Sequence, residues 1–311
     1  MKNRRVVFGF AAAVVFPTAC SVNTRPTIDA ATMAQLWVYP ADLEQRDLFL
    51  GPGGDKNAPD PDDVYTFVEA KEVGTQPGYD VKDSRGQEWS AKLGTESRVE
   101  VTISRLVWAI GYHQPTVYYL PRWTLLRDGE RIPQTGARFR LDDTKKLGEW
   151  SWRHNPFLHT RELTGLWVLM AMVNNADLKS QQNAIYRMKD ENAPGPRVRY
   201  VVKDLGASLG GTAWPVGGSK DNPDDFDAEP FIETVEENRV HFAYRGSFMD
   251  PQIQRTATPA DVRWTAQLLS RLTPRQWSDA FRAGGFSEPE AARYIARMKQ
   301  KIAEGLALDG Y

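Results

Sequence analysis

The polar stretch “NNADLKSQQN” (174–183) follows directly on the apolar stretch “LTGLWVLMAMV” (163–173). With Thr160 as its N-cap, the apolar stretch predicts a helix that is hydrophobic nearly all round and therefore buried. The strand pattern “NAIYRM” comes next. A polar run at this place is typical of a surface loop. It is equally typical of an enzyme loop in which an acid, a lysine and amides are held at the end of a buried helix.

The composition is that of an ordinary globular protein. Of the 311 residues, 41% are hydrophobic and 25% are charged, which suits one large domain or two lobes. The formal net charge of −1 gives no basic footprint for nucleic acid, so we expect no nucleic-acid partner. We interpret the 10 Trp and 11 Tyr residues as core packing rather than as a sugar-binding platform.

The N-terminus has the pattern of an export signal. A basic start, “MKNRR”, precedes the apolar “VVFGFAAAVVF”, which is too short to span a bilayer at roughly 20 residues per helix. With “PTAC” it resembles a bacterial lipoprotein signal peptide (1–19) that is cleaved before Cys20, the lipidated residue, although Pro17 departs from the usual Leu. The alternative is an ordinary secretory signal with an incidental Cys. Both predict that the mature protein leaves the cytoplasm. The lipoprotein signal predicts in addition a lipid anchor in the cell envelope, on the periplasmic or extracellular face.

The remaining chain divides into two parts after a predicted tether (20–33). In the strand-rich part (34–150), “DVYTFVEAKEVG”, “YDVKD” and “EWSAKLG” are separated by turn formers and predict a three-stranded antiparallel meander. A helix with the apolar stripe Val99, Ile103, Val107 and Ile110 follows, and the strand patterns “TVYYL” and “RWTLLRDGERI” come after it. The second part (151–311) ends in helices, so we expect two lobes with a cleft between them.

Three local features carry potential chemistry. Lys92 lies on the third strand of the meander, where a solvated lysine is the plain alternative, but Glu100 borders the apolar stripe and needs a cation nearby. We therefore predict an ion pair between these two residues. Asp177 follows the buried helix and suits a residue that orients a hydroxyl nucleophile. Asp204 ends the apolar strand “RVRYVVKD” just before Gly206, and a carboxylate at a strand end is a suitable Mg²⁺ ligand.

Together these features resemble the protein-kinase-like fold over residues 64–210: a strand lysine, a helix glutamate, a “DLK” loop and a “DLG” that stands for the metal-binding D-F-G. The compact Lys-to-Glu spacing and the missing H-R-D are more similar to the atypical branch of phosphatidylinositol kinases, HipA-type kinases and secretory-pathway kinases. “WSAKLG”, “RLVWAIGY” and “NNADLK” also resemble a set of uncharacterised bacterial envelope lipoproteins.

The resemblance implies an α+β, bilobal fold with an antiparallel-sheet N-lobe and a mainly helical C-lobe, and it implies ATP and Mg²⁺ as cofactors. It also implies residue roles: nucleotide binding by Lys92 and Glu100, catalysis by Asp177 and Lys179, and metal binding by Asp204 and Asn183. Asp177 and Asp204 should then share one cleft, joined by a hairpin of strands 184–188 and 197–203.

Several positions depart from the kinase pattern. The fifth residue after Asp177 is Gln182 where kinases have Asn, no G-x-G-x-x-G is present, and “VGTQPGY” (73–79) is the only candidate phosphate-covering loop. Three hypotheses result: an envelope-anchored ATP-dependent phosphotransferase with an unknown protein or small-molecule acceptor, a non-catalytic pseudokinase-like scaffold, and a carbohydrate-binding protein. The joint presence of Lys92, Glu100, Asp177 and Asp204 favours the first. Gln182 and the scarcity of ATP outside the cytoplasm favour the second.

Overall fold

The computed structural model describes residues 25–71, 77–213, 218–246 and 255–308. The predicted signal peptide and Cys20 lie outside the described residues, as do residues 72–76 of the candidate phosphate-covering loop. Within the described parts of the chain, no helix has both the length and the apolar character needed to cross a bilayer. The content is mixed α and β, as the sequence predicts.

Five strands of the first half form a closed barrel: β1 Val64–Ala70, β2 Gly78–Lys82, β3 Glu88–Leu93, β4 Val117–Arg127 and β5 Glu130–Leu141. Their order around the barrel is β1-β2-β3-β5-β4. The predicted meander is confirmed, since β1 with β2 and β2 with β3 pair antiparallel. The barrel closes where β1 pairs in parallel with β4.

β4 is longer than the sequence predicts. The patterns “TVYYL” and “RWTLL” are not two strands but one, which continues through Pro121. Proline lacks the N–H that a central strand needs, so the sequence suggests a break. Pro121 is tolerated because it is exposed and lies before Thr124–Leu126, the part of β4 that pairs with β1.

Helix α2 (Glu96–Ala109) follows β3 after a short turn. Its predicted apolar stripe is confirmed, because all four residues are fully buried: Val99, Ile103, Val107 and Ile110. The helix ends before Gly111, whose φ of +104° is a conformation that glycine adopts without strain. The stripe belongs to the large hydrophobic cluster of the C-terminal helices, whereas the barrel interior forms a cluster of its own.

A three-stranded sheet and a buried helix begin the second half. The sheet has the order β6-β7-β8, with β6 Thr144–Gly148, β7 Asn183–Met188 and β8 Val198–Val202. The predicted hairpin is therefore confirmed as β7 and β8, while β6 was not predicted. Helix α3 (Arg161–Met172) is the predicted buried helix, and its N-cap Thr160 accepts a hydrogen bond from Leu163 N at 3.2 Å.

The remaining elements are mostly helical: α1 Ala30–Ala34, α4 Pro223–Ala228, β9 Ile232–Glu236, β10 Arg239–Phe242, α5 Pro259–Ser270, α6 Pro274–Ala283 and α7 Glu288–Leu306. Short 3₁₀ turns add to them at Leu43–Gln45, Gly51–Gly53, Asp55–Asn57 and Ser180–Gln182. The prediction of a helical C-terminus is confirmed. The described part of the predicted tether, 25–33, lies against these helices, with Arg25 paired to the buried Asp261 at 2.5 Å.

The tryptophans take part in the cores. Of the nine that the structure describes, six are buried and three pack against the large cluster from partly exposed positions. In the barrel, Trp89 and Trp123 contact the ring of Phe139 edge-on. The interpretation of these residues as core packing is therefore confirmed for the described tryptophans.

Candidate functional site

A cavity of about 600 Å³ lies where β3, β5 and α2 face the loops that flank β7 and β8. Eight lysine or arginine side chains and five carboxylates line it, which leaves an excess of positive charge. Walls of this kind raise the local concentration of anions. The cavity therefore favours an anionic ligand.

Lys92 is the central cation of this cavity. Its Nζ lies 3.2 Å from Glu100 Oε2, 2.8 Å from Glu96 Oε2 and 3.0 Å from Asp204 Oδ1. The predicted ion pair with Glu100 is confirmed. Burial by itself lowers the pKa of Lys92, but the charges of Glu100 and Asp204 outweigh it and raise that pKa above its ordinary value. Lys92 therefore stays protonated at neutral pH.

Two further cations complete the network, and the sequence did not predict either of them. Arg138 Nε pairs with Glu100 Oε1 at 2.9 Å, and both side chains are buried. Arg138 stands directly opposite Lys92 in the β3–β5 register. The contact of Arg138 with Glu100 could therefore be predicted only if this strand pairing were known. Lys220 pairs with Glu96; although burial raises the pKa of Glu96, Lys220 and Lys92 lower it below its ordinary value.

Local backbone features bring these charges together. Ser97 at the start of α2 donates its hydroxyl hydrogen to Lys92 O at 2.6 Å, which ties the helix to the strand. Gly206 lies so close to α2 that a Cβ there would stand 2.6 Å from Glu96 Cβ. A side chain at position 206 would therefore push α2 and the loop of Asp204 apart.

Asp177 lines the same cavity as Asp204, as predicted. Its Oδ2 accepts a hydrogen bond from Gln182 Nε2 at 2.9 Å and pairs with Lys179 Nζ at 2.9 Å. Its Oδ1 is buried and has no hydrogen-bond partner among the described residues. A buried acceptor of this kind needs a donor or a cation, so Asp177 has capacity to bind a ligand group.

Asn183 does not lie among the residues that line the cavity, whereas Gln182 does. The side chain of Asn183 is buried, and its Nδ2 donates to Trp150 O at 3.0 Å. Asn183 is the first residue of β7, where neighbouring side chains point to opposite faces. Of these two neighbours, Gln182 is therefore the one that lines the cavity, and the metal role of Asn183 stays a prediction.

Asp204 suits a Mg²⁺ ligand. Burial raises its pKa, but Lys92 overcomes this effect and lowers that pKa below its usual range, so the carboxylate is ionised at neutral pH. Mg²⁺ is commonly held by one or two carboxylates together with substrate phosphates. Asp204 can supply one such carboxylate. The described residues contain no cluster of three or more His, Cys, Asp or Glu that could hold a metal alone.

Two solved kinase structures are similar to this chain. The Helicobacter pylori proinflammatory kinase CtkA aligns with a TM-score of 0.47 and 10% identity, over 78% of this chain and 96% of CtkA. The Golgi casein kinase aligns with a TM-score of 0.40 and 9% identity, over 89% of this chain and 84% of that kinase. The sequence matches no protein-family model and no curated protein. Both TM-scores are below 0.5.

Proposed function

We propose that this protein has a bilobal kinase-like fold and transfers the γ-phosphoryl group of Mg·ATP to an acceptor, a protein or a small molecule. One observation carries the proposal: Lys92, held by Glu100, lines the same cavity as Asp177 and Asp204. A strand lysine, a helix glutamate and two loop aspartates in one basic cavity are the groups that protein kinases use for phosphoryl transfer. In this proposal the barrel belongs to the N-lobe and α3 to the C-lobe.

Each side chain has a separate task in the proposed reaction. Lys92 neutralises and positions the phosphates, and Glu100 with Asp204 keeps its ammonium in place. Asp177 accepts a hydrogen bond from the acceptor hydroxyl through its unpaired Oδ1 and so orients that nucleophile. Lys179 balances charge on the phosphoryl group in transit. Asp204 would hold Mg²⁺, and the bound ion would neutralise negative charge on the phosphates.

A pseudokinase that binds nucleotide without transfer is the second candidate. The observation that favours it is the hydrogen bond from Gln182 to Asp177, because kinases have Asn at this position. The side chain of Gln182 is longer than that of Asn, and its hydrogen bond restricts the movement of the Asp177 carboxylate towards an acceptor hydroxyl. The two candidates share a binding site and differ only in turnover.

Two variants separate binding from transfer. We expect Asp204→Asn to abolish stabilisation of the protein by Mg·ATP in thermal unfolding, because the metal loses its carboxylate. Asp177→Asn should leave that stabilisation nearly intact and remove phosphate release or autophosphorylation, because Asp177 contacts the acceptor rather than the nucleotide.

Asp128→Asn is the control, since Asp128 lies in the exposed β4–β5 turn and its substitution should change neither readout. If wild-type protein is not stabilised by Mg·ATP, both candidates fail. Stabilisation without any phosphoryl transfer leaves the pseudokinase.

We further propose that the protein acts in the cell envelope, attached to a membrane through a lipid on Cys20. The basic start, the short apolar run and the sequence “PTAC” that ends in Cys20 support this.

A further inference from the structure

A second cavity of about 520 Å³ adjoins the candidate site. The two cavities share five lining residues, one hydroxyl and four cations: Ser90, Lys71, Arg140, Lys146 and Lys203. Carboxylates line both cavities elsewhere, but none belongs to this shared boundary. The boundary is therefore the most uniformly basic part of the combined space.

Two of the four cations have a carboxylate partner at 2.8 Å: Lys71 with Asp80, and Lys146 with Glu149. Arg140 and Lys203 form no ion pair with any carboxylate in the described parts of the chain. Both are partly buried, where like charges repel more strongly than in bulk water. An anionic group placed between them would relieve that repulsion.

We propose that Arg140 and Lys203 form a second anion subsite that binds a phosphoryl group at the boundary of the two cavities. Lys92 is not part of this subsite, because its ammonium already contacts three carboxylates. A guanidinium gives two parallel donors and an ammonium gives rotatable ones, and together they suit a tetrahedral oxyanion. The identity of the anion as phosphoryl rests on the proposed function. The group belongs either to the nucleotide or to the acceptor, and both offer the same chemistry.

Binding of inorganic pyrophosphate to the full chain in EDTA, measured by titration calorimetry at low ionic strength, tests the subsite. Arg140→Gln and Lys203→Gln should each weaken binding roughly tenfold or more, because each removes a charge-assisted hydrogen bond. Arg140→Lys keeps the charge and should retain most of the affinity. Lys71→Gln is the matched control: it removes a cation of the same boundary that Asp80 already neutralises, so affinity should fall less than about twofold.

Equal losses in Arg140→Gln and Lys71→Gln, or no loss in either, overturn the subsite. A folding defect is recognised separately, because Arg140→Gln removes a repulsion and the ligand-free variant should melt no lower than wild type. A nonhydrolysable ATP analogue with Mg²⁺ then identifies the source: displacement of pyrophosphate assigns the subsite to the nucleotide, and joint binding assigns it to the acceptor. The pyrophosphate titration contains neither Mg²⁺ nor ATP, so its failure leaves the proposed kinase function standing. Likewise, failure of the Mg·ATP assays leaves the anion-binding role of Arg140 and Lys203 standing.

Discussion

Among single residues, Lys92 has the most constrained side chain of the candidate site. Its ammonium contacts Glu96, Glu100 and Asp204, which would repel one another if the cation were absent. A ligand that draws Asp204 towards a metal leaves Lys92 still held by two glutamates. Lys92 can therefore exchange its contact with Asp204 for a contact with a phosphate, while Glu96 and Glu100 keep it in position.

Glu100 should be the residue on which this arrangement depends most. We expect Glu100→Gln to lower the free energy of unfolding by ~3–5 kcal/mol, because Arg138 is then left buried without its carboxylate. Urea unfolding measures the change. The control is Glu88→Gln, which breaks the exposed pair of Glu88 with Lys82 and should cost below ~1 kcal/mol. Equal effects of the two substitutions would contradict the importance of the buried network.

Residue-level prediction succeeded where sequence neighbours decide the geometry. Lys92 and Glu100 are eight positions apart on consecutive elements, so strand-then-helix order was enough to pair them. Lys220 contacts Glu96 from 124 positions away, and no periodic pattern marks its segment. That Gln182 and not Asn183 lines the cavity also could not be predicted from the sequence, because adjacent side chains at a strand start face opposite sides.

Among the elements, α7 and α3 are joined by a buried lysine. Lys301 Nζ donates to Met172 O at 3.0 Å and to Asn174 Oδ1 at 2.7 Å, and it lies 4.2 Å from the Phe226 ring. Asn174 in turn donates to Gly210 O at 2.7 Å. The C-terminal helix thereby holds the start of the loop that carries the candidate catalytic acid.

The protonation of Lys301 should make stability depend on pH. Burial, and then the charge of Arg297, lowers its pKa to about 7 from 10.5, against weaker opposing effects of Glu229 and Glu304. Between these values the unfolded chain binds the proton and the folded chain does not, so stability rises with pH by at most about 1.4 kcal/mol per pH unit.

Urea midpoints at pH 7, 8 and 9 test this dependence. Lys301→Met should remove this part of the slope, whereas Lys299→Met, at an exposed neighbouring position, should keep it. Identical slopes in wild type and Lys301→Met would show that the lysine keeps its proton on folding.

Elements with clear periodicity were predictable and those without it were not. The buried stripe of α2 and the alternation of β2 and β3 gave clear signals. The exposed β6 and β9 carry runs of polar side chains, “TKKLG” and “IETVE”, which resemble loops in sequence. These strands form because their neighbours pair with them, and that information lies elsewhere in the chain.

In the whole molecule, the first described residue, Arg25, lies at the surface of the C-terminal helices. Arg25 lies five residues after Cys20, a distance of at most roughly 18 Å when extended. A lipid on Cys20 would therefore keep the Arg25 side of the protein near the membrane. We expect Cys20→Ser to release the protein from membrane fractions, with Ser21→Ala as control. Unchanged fractionation together with an intact N-terminus would contradict the anchor.

The closure of the barrel also affects how the protein behaves at high concentration. β1 pairs with β4, so the barrel offers no open edge there to a strand of another molecule. The sheet of β6, β7 and β8 differs, because β6 has no strand on its outer side among the described residues. Lys145 and Lys146 lie on that strand, and edge lysines discourage intermolecular strand pairing. Surface engineering for crystallisation should therefore leave these two lysines in place, since neutral residues there would invite aggregation through the β6 edge.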